Sequence, residues 1–577
     1  MADTVSIPSW TIRHRDRRKA IARQKLNTME MELITIEKHL PIIKVTQSDF
    51  AHGTYRIKTP ARYVIQEDIS FNPNPSTYNI STAKLEGPDW MPTLKQITSG
   101  EYPVAPNGPY HMGFFAAFTI ETDNVVIDLN GFTIEQHMEH YLQQRFFSIV
   151  ELAPTPFIHG QGPSNFGPFQ KHKNIKIHNG TMGLSSHEAI HGNGTENLII
   201  EDLMCYDYEQ AAIALNGGSL IKMKNIQLER NSRDALVRAT YSQGRFIRSF
   251  LRRIIAEGDP TIDVNGTSIS GSEILSSLET EMDSVYNDII NRKIEPTSVL
   301  FRNPDPLNTC DGSVYGIVLN MLGAAVGPFI STSDHKSNRL ISLENVSLCG
   351  LNSNPVEVPA LCVPEDHNKA QRGPVGDVIR IQMCTGDRGE YVSDALTNAQ
   401  LYWNKYARLI GTTSHASPGI YDDWASGSKT LQEVMTKENI CFMYGRDAMS
   451  HIMKGNIGLF LSGTSDTTLK SVHMQDIQNR GTASEGGDHD NYEGNRTRGF
   501  AITACKDVFL SDIASSSLVS TTADVYGVDF IHPCSDITLN SCSVINMRPA
   551  LFVNAPNHQG HCDSIRGKSL VSNLVIT

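Results

Sequence analysis

Long apolar runs are missing from this 577-residue chain, and no stretch approaches the roughly 18 residues that a membrane-spanning helix needs. The N-terminal segment MADTVSIPSWTIRHRDRRKAIARQK carries basic residues with no apolar core behind them. No Sec-type export signal is therefore expected, which fits a cytoplasmic protein, a virion-associated one or an unconventional export route and does not choose between them. Cysteine pairs at metal spacing are lacking as well: ten cysteines are present, none in a CxxC pair, and several fall in strand-like segments. They read as buried free thiols. An excess of positive charge is also absent, since 50 Lys+Arg face 62 Asp+Glu for a net charge of −12, which argues against a nucleic-acid partner. Six glycosylation sequons begin at Asn79, Asn179, Asn193, Asn265, Asn345 and Asn495, and without an export signal they read as chance matches.

What the chain does contain is a recurring six-residue phrase: apolar, any, apolar, any, a small or amide residue, then apolar or Gly. It occurs as IDLNGF from Ile127, IKIHNG from Ile175, LIIEDL from Leu198 and IKMKNI from Ile221. Further copies are ISLENV from Ile341, VHMQDI from Val472, VFLSDI from Val508 and ITLNSC from Ile537. Two apolar residues at period two make one face of a short strand. The fifth position (Gly131, Asn179, Asp202, Asn225, Asn345, Asp476, Asp512, Ser541) suits a corner. Gaps of 23, 23, 29 and 36 residues between copies match one coil of a solenoid, whose apolar face is buried only by stacking on its neighbours. The leucine-rich consensus of a horseshoe and the blade signature of a propeller are both absent.

A second phrase (small, apolar, any, apolar) precedes most copies by about eight to ten residues. Its copies are AIHG from Ala189, AIAL from Ala212, GIVL from Gly316, GLFL from Gly458, GFAI from Gly499, GVDF from Gly527 and ALFV from Ala550. A coil with two or three such strands resembles the right-handed parallel β-helices of the pectin-lyase-like superfamily, and IDLNGF resembles their opening coil. The resemblance covers roughly residues 115–230, 312–350 and 455–555 and implies an architecture rather than a reaction. The fold expected is an all-β solenoid, a right-handed parallel β-helix with two mainly helical insertions and an N-terminal helical cap. Gaps of 120 and 131 residues mark the insertions. The expected organisation is an arm and cap over 1–45, β-helix over 46–231, a helical insertion over 232–299, β-helix over 300–354, a mixed insertion over 355–450 and β-helix over 451–577. A helix from Asp16 to Glu37 is the expected cap over the open core. Helices are also expected at Asp234 to Ala256 and Ser272 to Asn291, joined through a Gly258, Asp259, Pro260 turn.

Chemistry is sought on the outward residue of the second phrase: His191, Ala214, Val318, Phe460, Ala501, Asp529 and Phe552. Most of these are apolar or small, and the paired carboxylates of a sugar-cleaving groove are missing from the row. Three constellations remain. YGVDFIH holds Tyr526, Asp529 and His532 and resembles the YGxDPH signature of alginate C5-epimerases. That likeness implies proton transfer by Tyr, Asp and His, but an extra residue turns His532 away from Asp529. SSHEAIHGNG holds His187 and His191, with Asp207 and Glu209 one coil later, and a histidine beside a carboxylate is a general base. GGDHDNYEGNR clusters Asp488, Asp490 and Glu493, oxygen ligands that suit Ca²⁺ but lack EF-hand spacing.

The sequence thus favours a structural or binding β-helix in a surface or virion assembly, with glycans as candidate ligands and a homo-oligomer or assembly partner expected. The rival reading is a polysaccharide lyase, glycoside hydrolase or uronate epimerase.

Overall fold

In the computed structural model, residues 9–73, 77–79, 84–86, 116–137, 140–141, 147–152, 172–208, 210–230, 255, 259, 261–264, 267–273, 275–276, 314–320, 338–352, 456–479, 496–520, 524–549 and 561–577 are described. Among them, parallel strands dominate and form two large sheets. Sheet A is 14-stranded and runs from Ile42–Val45 through Lys173–Gly183, Glu196–Tyr206, Ser219–Arg230, Arg339–Asn352, Ser465–Asn479 and Lys506–Ser520 to Cys534–Arg548 and Val571–Ser572. Sheet B is 10-stranded and runs from Tyr55–Ile57 through Glu188–Asn193, Ala211–Asn216, Val314–Asn320, Asn456–Ser462 and Thr497–Thr503 to Val525–Phe530 and Cys562–Arg566. Each strand of B is followed in the chain by a strand of A, so every coil contributes to both sheets. One apolar cluster runs without interruption from Val45 to Leu539 between them.

The corners explain the first phrase. Within the long strands of sheet A, left-handed residues recur every fifth position: Asn197, Asp202 and Asp207, then Asp466, Ser471 and Asp476, then Asp507, Asp512 and Ser517, then Asp536, Ser541 and Asn546. Such a backbone is unfavourable for most L-residues and is best tolerated by Gly, Asn and Asp. All eight fifth-position residues of the phrase have positive φ. Register corrects two of the copies. Ile175, Leu198, Ile221, Ile341, Thr467, Val508 and Ile537 form one aligned column. The segment in register is therefore TTLKSV from Thr467, and VHMQDI lies one corner further on. Thr467 was passed over because a hydroxyl residue, 1% exposed, stands in the apolar site. Near the start of the helix, Val125 aligns with Ile175, and Asn130 and Gly131 both take positive φ, widening that corner.

Corner amides also stack between coils. The Asn225 amide donates to Asp202 at 2.7 Å, and the Asn345 amide donates to Asn225 at 2.8 Å. The sequons at Asn179 and Asn345 are therefore corner residues, and the Asn193 side chain is buried against Asn216.

The small first residue of the second phrase has a steric cause. A Cβ at Gly316 would lie 2.5 Å from the carbonyl oxygen of Gly458, and one at Gly458 would lie 2.6 Å from that of Gly499. Coils a strand spacing apart leave no room there. After Gly527 the column continues into Cys562–Arg566, which pairs with Val525–Phe530. That strand, not ALFV, is the next one in sheet B, and Ala550 and Phe552 lie outside the described residues.

The N-terminal helix, Ser9–Glu37, does not cover an end of the core. It lies along the outer face of sheet A, where Leu26, Met29 and Leu33 bury against Ile199 with Leu220 beside them. Glu30 pairs with Lys222 at 2.5 Å and Glu37 with Lys176 at 3.1 Å. The i, i+3, i+7 spacing of its three buried apolar residues makes a narrow stripe that fits a sheet face. The first strands are packed instead with aromatic rings, Phe50 lying 5.1 Å from Phe118 and 6.0 Å from Phe71. Among the described residues of the first insertion are an antiparallel hairpin, Thr261–Val264 with Thr267–Ser270, and helical residues at 255, 271–273 and 275–276; of the expected Gly258, Asp259, Pro260 turn only Asp259 is described. The remaining residues of the two expected helices, and the second insertion, lie outside the described residues. The six described cysteines are free; Cys205, Cys505 and Cys534 are buried, whereas Cys349 and Cys562 are exposed, against expectation.

Candidate functional site on the outer rows of sheet B

Alternation along each sheet B strand points some side chains away from the core. Ala214 lies between Ile213 and Leu215, both in the main apolar cluster, and itself belongs to a separate cluster on the other side of the sheet. Stacking aligns Glu151, His191, Ala214, Val318, Phe460, Ala501, Asp529 and Arg566 in one outer row. Three residues earlier on each strand, Ser148, Glu188, Ala211, Tyr315, Ile457, Arg498 and Tyr526 form a second. The middle of both rows is apolar, with Tyr315 and Phe460 stacked 5.8 Å apart. Charge is confined to the two ends.

At the first end, His191 Nδ1 lies 2.8 Å from Glu151 Oε2. Both are buried, Glu151 at 0% and His191 at 3% exposure. Burial alone would favour the neutral imidazole, but the charge and hydrogen bond of Glu151, with Glu188 adding to them, outweigh it and raise the His191 pKa above its ordinary value. Asn216 approaches His191 Nε2 at 3.5 Å. The Ser148 hydroxyl donates to Glu151 at 3.3 Å. His187 contacts the neighbouring Glu188 through Nδ1. The carboxylate facing His191 therefore comes from the preceding coil, while Asp207 sits at a corner of sheet A and Glu209 lies outside the described residues. Glu151 was missed because FSIVE does not match the small-first phrase; an acidic residue closing an apolar run, one coil before a histidine, was the available signal.

At the other end, Arg498 Nε donates to Asp529 Oδ2 at 2.7 Å, and Arg566 Nη1 approaches the same oxygen at 3.5 Å. Arg498 is 1% and Asp529 0% exposed. Burial pulls the Arg498 pKa down, and Asp529 offsets this only in part because Arg496 and Arg566 are close. Asp529 Oδ1 is buried with no hydrogen-bond partner. The Tyr526 hydroxyl donates to Asp524 at 2.7 Å, and the ring lies under the guanidinium of Arg566, 4.8 Å from its centroid. Burial, then Asp524, push the phenol well above its usual range. His532 is not brought to this group: the strand ends at Phe530, and exposed His532 lies in the following turn with Nδ1 2.7 Å from Thr503 Oγ1. Tyr526 and Asp529 thus share Arg566, while His532 bonds Thr503.

Asp488, Asp490 and Glu493 lie outside the described residues, and among those described no cluster of three or more metal-capable side chains occurs. No described helix is long and apolar enough to cross a membrane.

The strand registers define a parallel β-solenoid protein of the β-helix type. No family model matches the chain, and no curated protein matches it. Among solved structures it is similar to the surface adhesin PfbA of Streptococcus pneumoniae, at 10% identity and a TM-score of 0.31, over 74% of this chain and 70% of that one. It is also similar to an alginate lyase from Paenibacillus sp. str. FPU-7, at 9% identity and a TM-score of 0.27, over 92% and 99% of the two chains. A third is the catalytic domain of a GH87 alpha-1,3-glucanase, at 8% identity and a TM-score of 0.26, over 93% and 63%. Likeness at this level carries no argument about activity, and the fold rests on the strand registers themselves.

Proposed function

We propose that this chain is a binding or structural β-helix, right-handed in its winding, that serves a surface or virion assembly and takes glycans as ligands. The observation that carries the reading is the closure of the outer rows of sheet B. A polymer-cleaving groove needs its acid and base reachable, yet Glu151, His191, Arg498 and Asp529 are at most 3% exposed and already engaged with one another. The apolar middle separates them. Carboxylates committed to buried ion pairs hold structure, because breaking such a pair leaves an uncompensated charge.

The test has two arms. Incubation with a panel of uronate and neutral polysaccharides should yield no new reducing ends, unsaturated products or epimerised residues. Immobilised glycans from the same panel should retain the protein, and light scattering should report more than one copy per particle. A second reading, a polysaccharide-acting enzyme, draws on the Glu151 and His191 pair, in which a carboxylate orients an imidazole of raised pKa as a general base requires. Product formation that disappears in His191→Asn or Asp529→Ala would replace the binding reading with this one.

A further inference from the structure

The first corner of each sheet A strand makes a ladder whose chemistry changes along the helix. Upstream it is amide: Asn174 donates to Asn124 at 2.8 Å and Asn197 to Asn174 at 2.7 Å. After Leu220 and Leu340 it becomes acidic in three successive coils, Asp466, Asp507 and Asp536, before Asn573 closes it by donating to Asp536 at 3.0 Å. Asparagines stack by donating to one another. Aspartates in adjacent coils, about 4.8 Å apart, only repel.

The acidic stretch lies beneath the basic half of the N-terminal helix. Arg18 Nη1 is 2.5 Å from Asp507 Oδ2, and Lys19 Nζ sits 3.8 Å above the Phe509 ring. The helix is fastened unequally. Its buried residues are Leu26, Met29 and Leu33, and none from 17 to 25 is buried. The C-terminal half is held by apolar contact and by ion pairs from Glu30 and Glu37, the N-terminal half by charge on the acidic ladder.

We propose that residues 17–25 form an electrostatic latch on the Asp466, Asp507 and Asp536 ladder, which opens in high salt while residues 26–37 stay docked. The charged groups facing Asp507 are Arg18 from the helix, Asp466 and Asp536 from the adjacent coils and Lys506 from its own strand. Burial first, then the two neighbouring aspartates, raise the Asp507 pKa, and Arg18 lowers it. Salt that screens the Arg18 and Asp507 pair therefore weakens docking of residues 17–25 without touching the apolar contacts of residues 26–37. Opening bares Phe509 and the acidic corners.

Hydrogen exchange on the full chain tests this by comparing protection factors for residues 17–25 and 26–37. At neutral pH and low salt both halves should be protected. In about 1 M NaCl, where the screening length is near 3 Å, protection of 17–25 should fall about fivefold, the effect of one exposed ion pair, with 26–37 unchanged. Asp507→Asn at neutral pH should reproduce that loss. Arg18→Gln should do the same from the helix side, where the substitution cannot disturb the solenoid. The double variant D466N/D536N, which keeps Arg18's partner and removes two charges of the ladder, should open at lower salt than the wild type. Equal exchange in 17–25 for wild type and both single variants at every salt concentration would overturn the latch. Simultaneous loosening of both halves would overturn it too, since the helix would then be one unit.

Discussion

The two ends of the outer rows of sheet B occupy the same positions on the same sheet and solve the burial of charge differently. At one end a carboxylate and an imidazole, Glu151 and His191, face each other across adjacent coils. At the other a carboxylate, Asp529, is held by one buried and one half-exposed guanidinium. The first pair contains an imidazole, whose pKa the facing carboxylate raises, and the second a guanidinium in its place. Stacking in register makes either solution available, because each outer side chain meets the equivalent side chain of the next coil. The row position dictates proximity, and residue choice dictates whether the contact depends on pH.

The largest effect expected is at the guanidinium end. Asp529→Ala leaves the Arg498 charge buried without its carboxylate and should cost about 3–5 kcal/mol by chemical denaturation. A loss under about 1 kcal/mol would mean that water already reaches Arg498. In the apolar middle, Gly458→Ala drives a methyl against the Gly499 carbonyl and should cost about 1–3 kcal/mol. The corners common to both ends come next: Asn345→Ala puts a residue poorly suited to its φ of 54° there and should cost about 1–2 kcal/mol, whereas Asn345→Gly should be nearly neutral. The smallest effect is a slope at the imidazole end. Because the folded pKa of His191 is raised, its contribution is complete below the unfolded value of about 6.5 and is lost as pH rises through the folded pKa. Stability measured between pH 5 and 9 should show that decline in the wild type and lose it in Glu151→Gln. An identical slope in both proteins would place the titrating group elsewhere.

Much of the solenoid was readable from local pattern. Asn179, Asp202 and Asn225 announced corners because a left-handed residue has few acceptable side chains, and that constraint acts within one residue. Gly316, Gly458 and Gly499 were visible as the small first residue of the second phrase, though the close approach that requires them appears only when coils stack. Legibility failed where one coil had to be set against another. VHMQDI satisfies the phrase as well as the true column does, because successive sides of a coil repeat the same alternation five residues apart. His191 was found but its partner Glu151 was not, since the two are 40 positions apart in the chain. Asp529 was found, but the sequence tied it to His532 three residues on rather than to Arg498 on the preceding coil.

The sequence by itself determined the strands, their inward faces and their corners, all consequences of backbone sterics and period-two burial within a few residues. Only the tertiary structure decided which coils meet, hence which charges pair on the outer rows and where the N-terminal helix lies. Those outcomes depend on register between segments far apart in the chain, and register is set by loop length and by packing of the whole core, not by any local phrase.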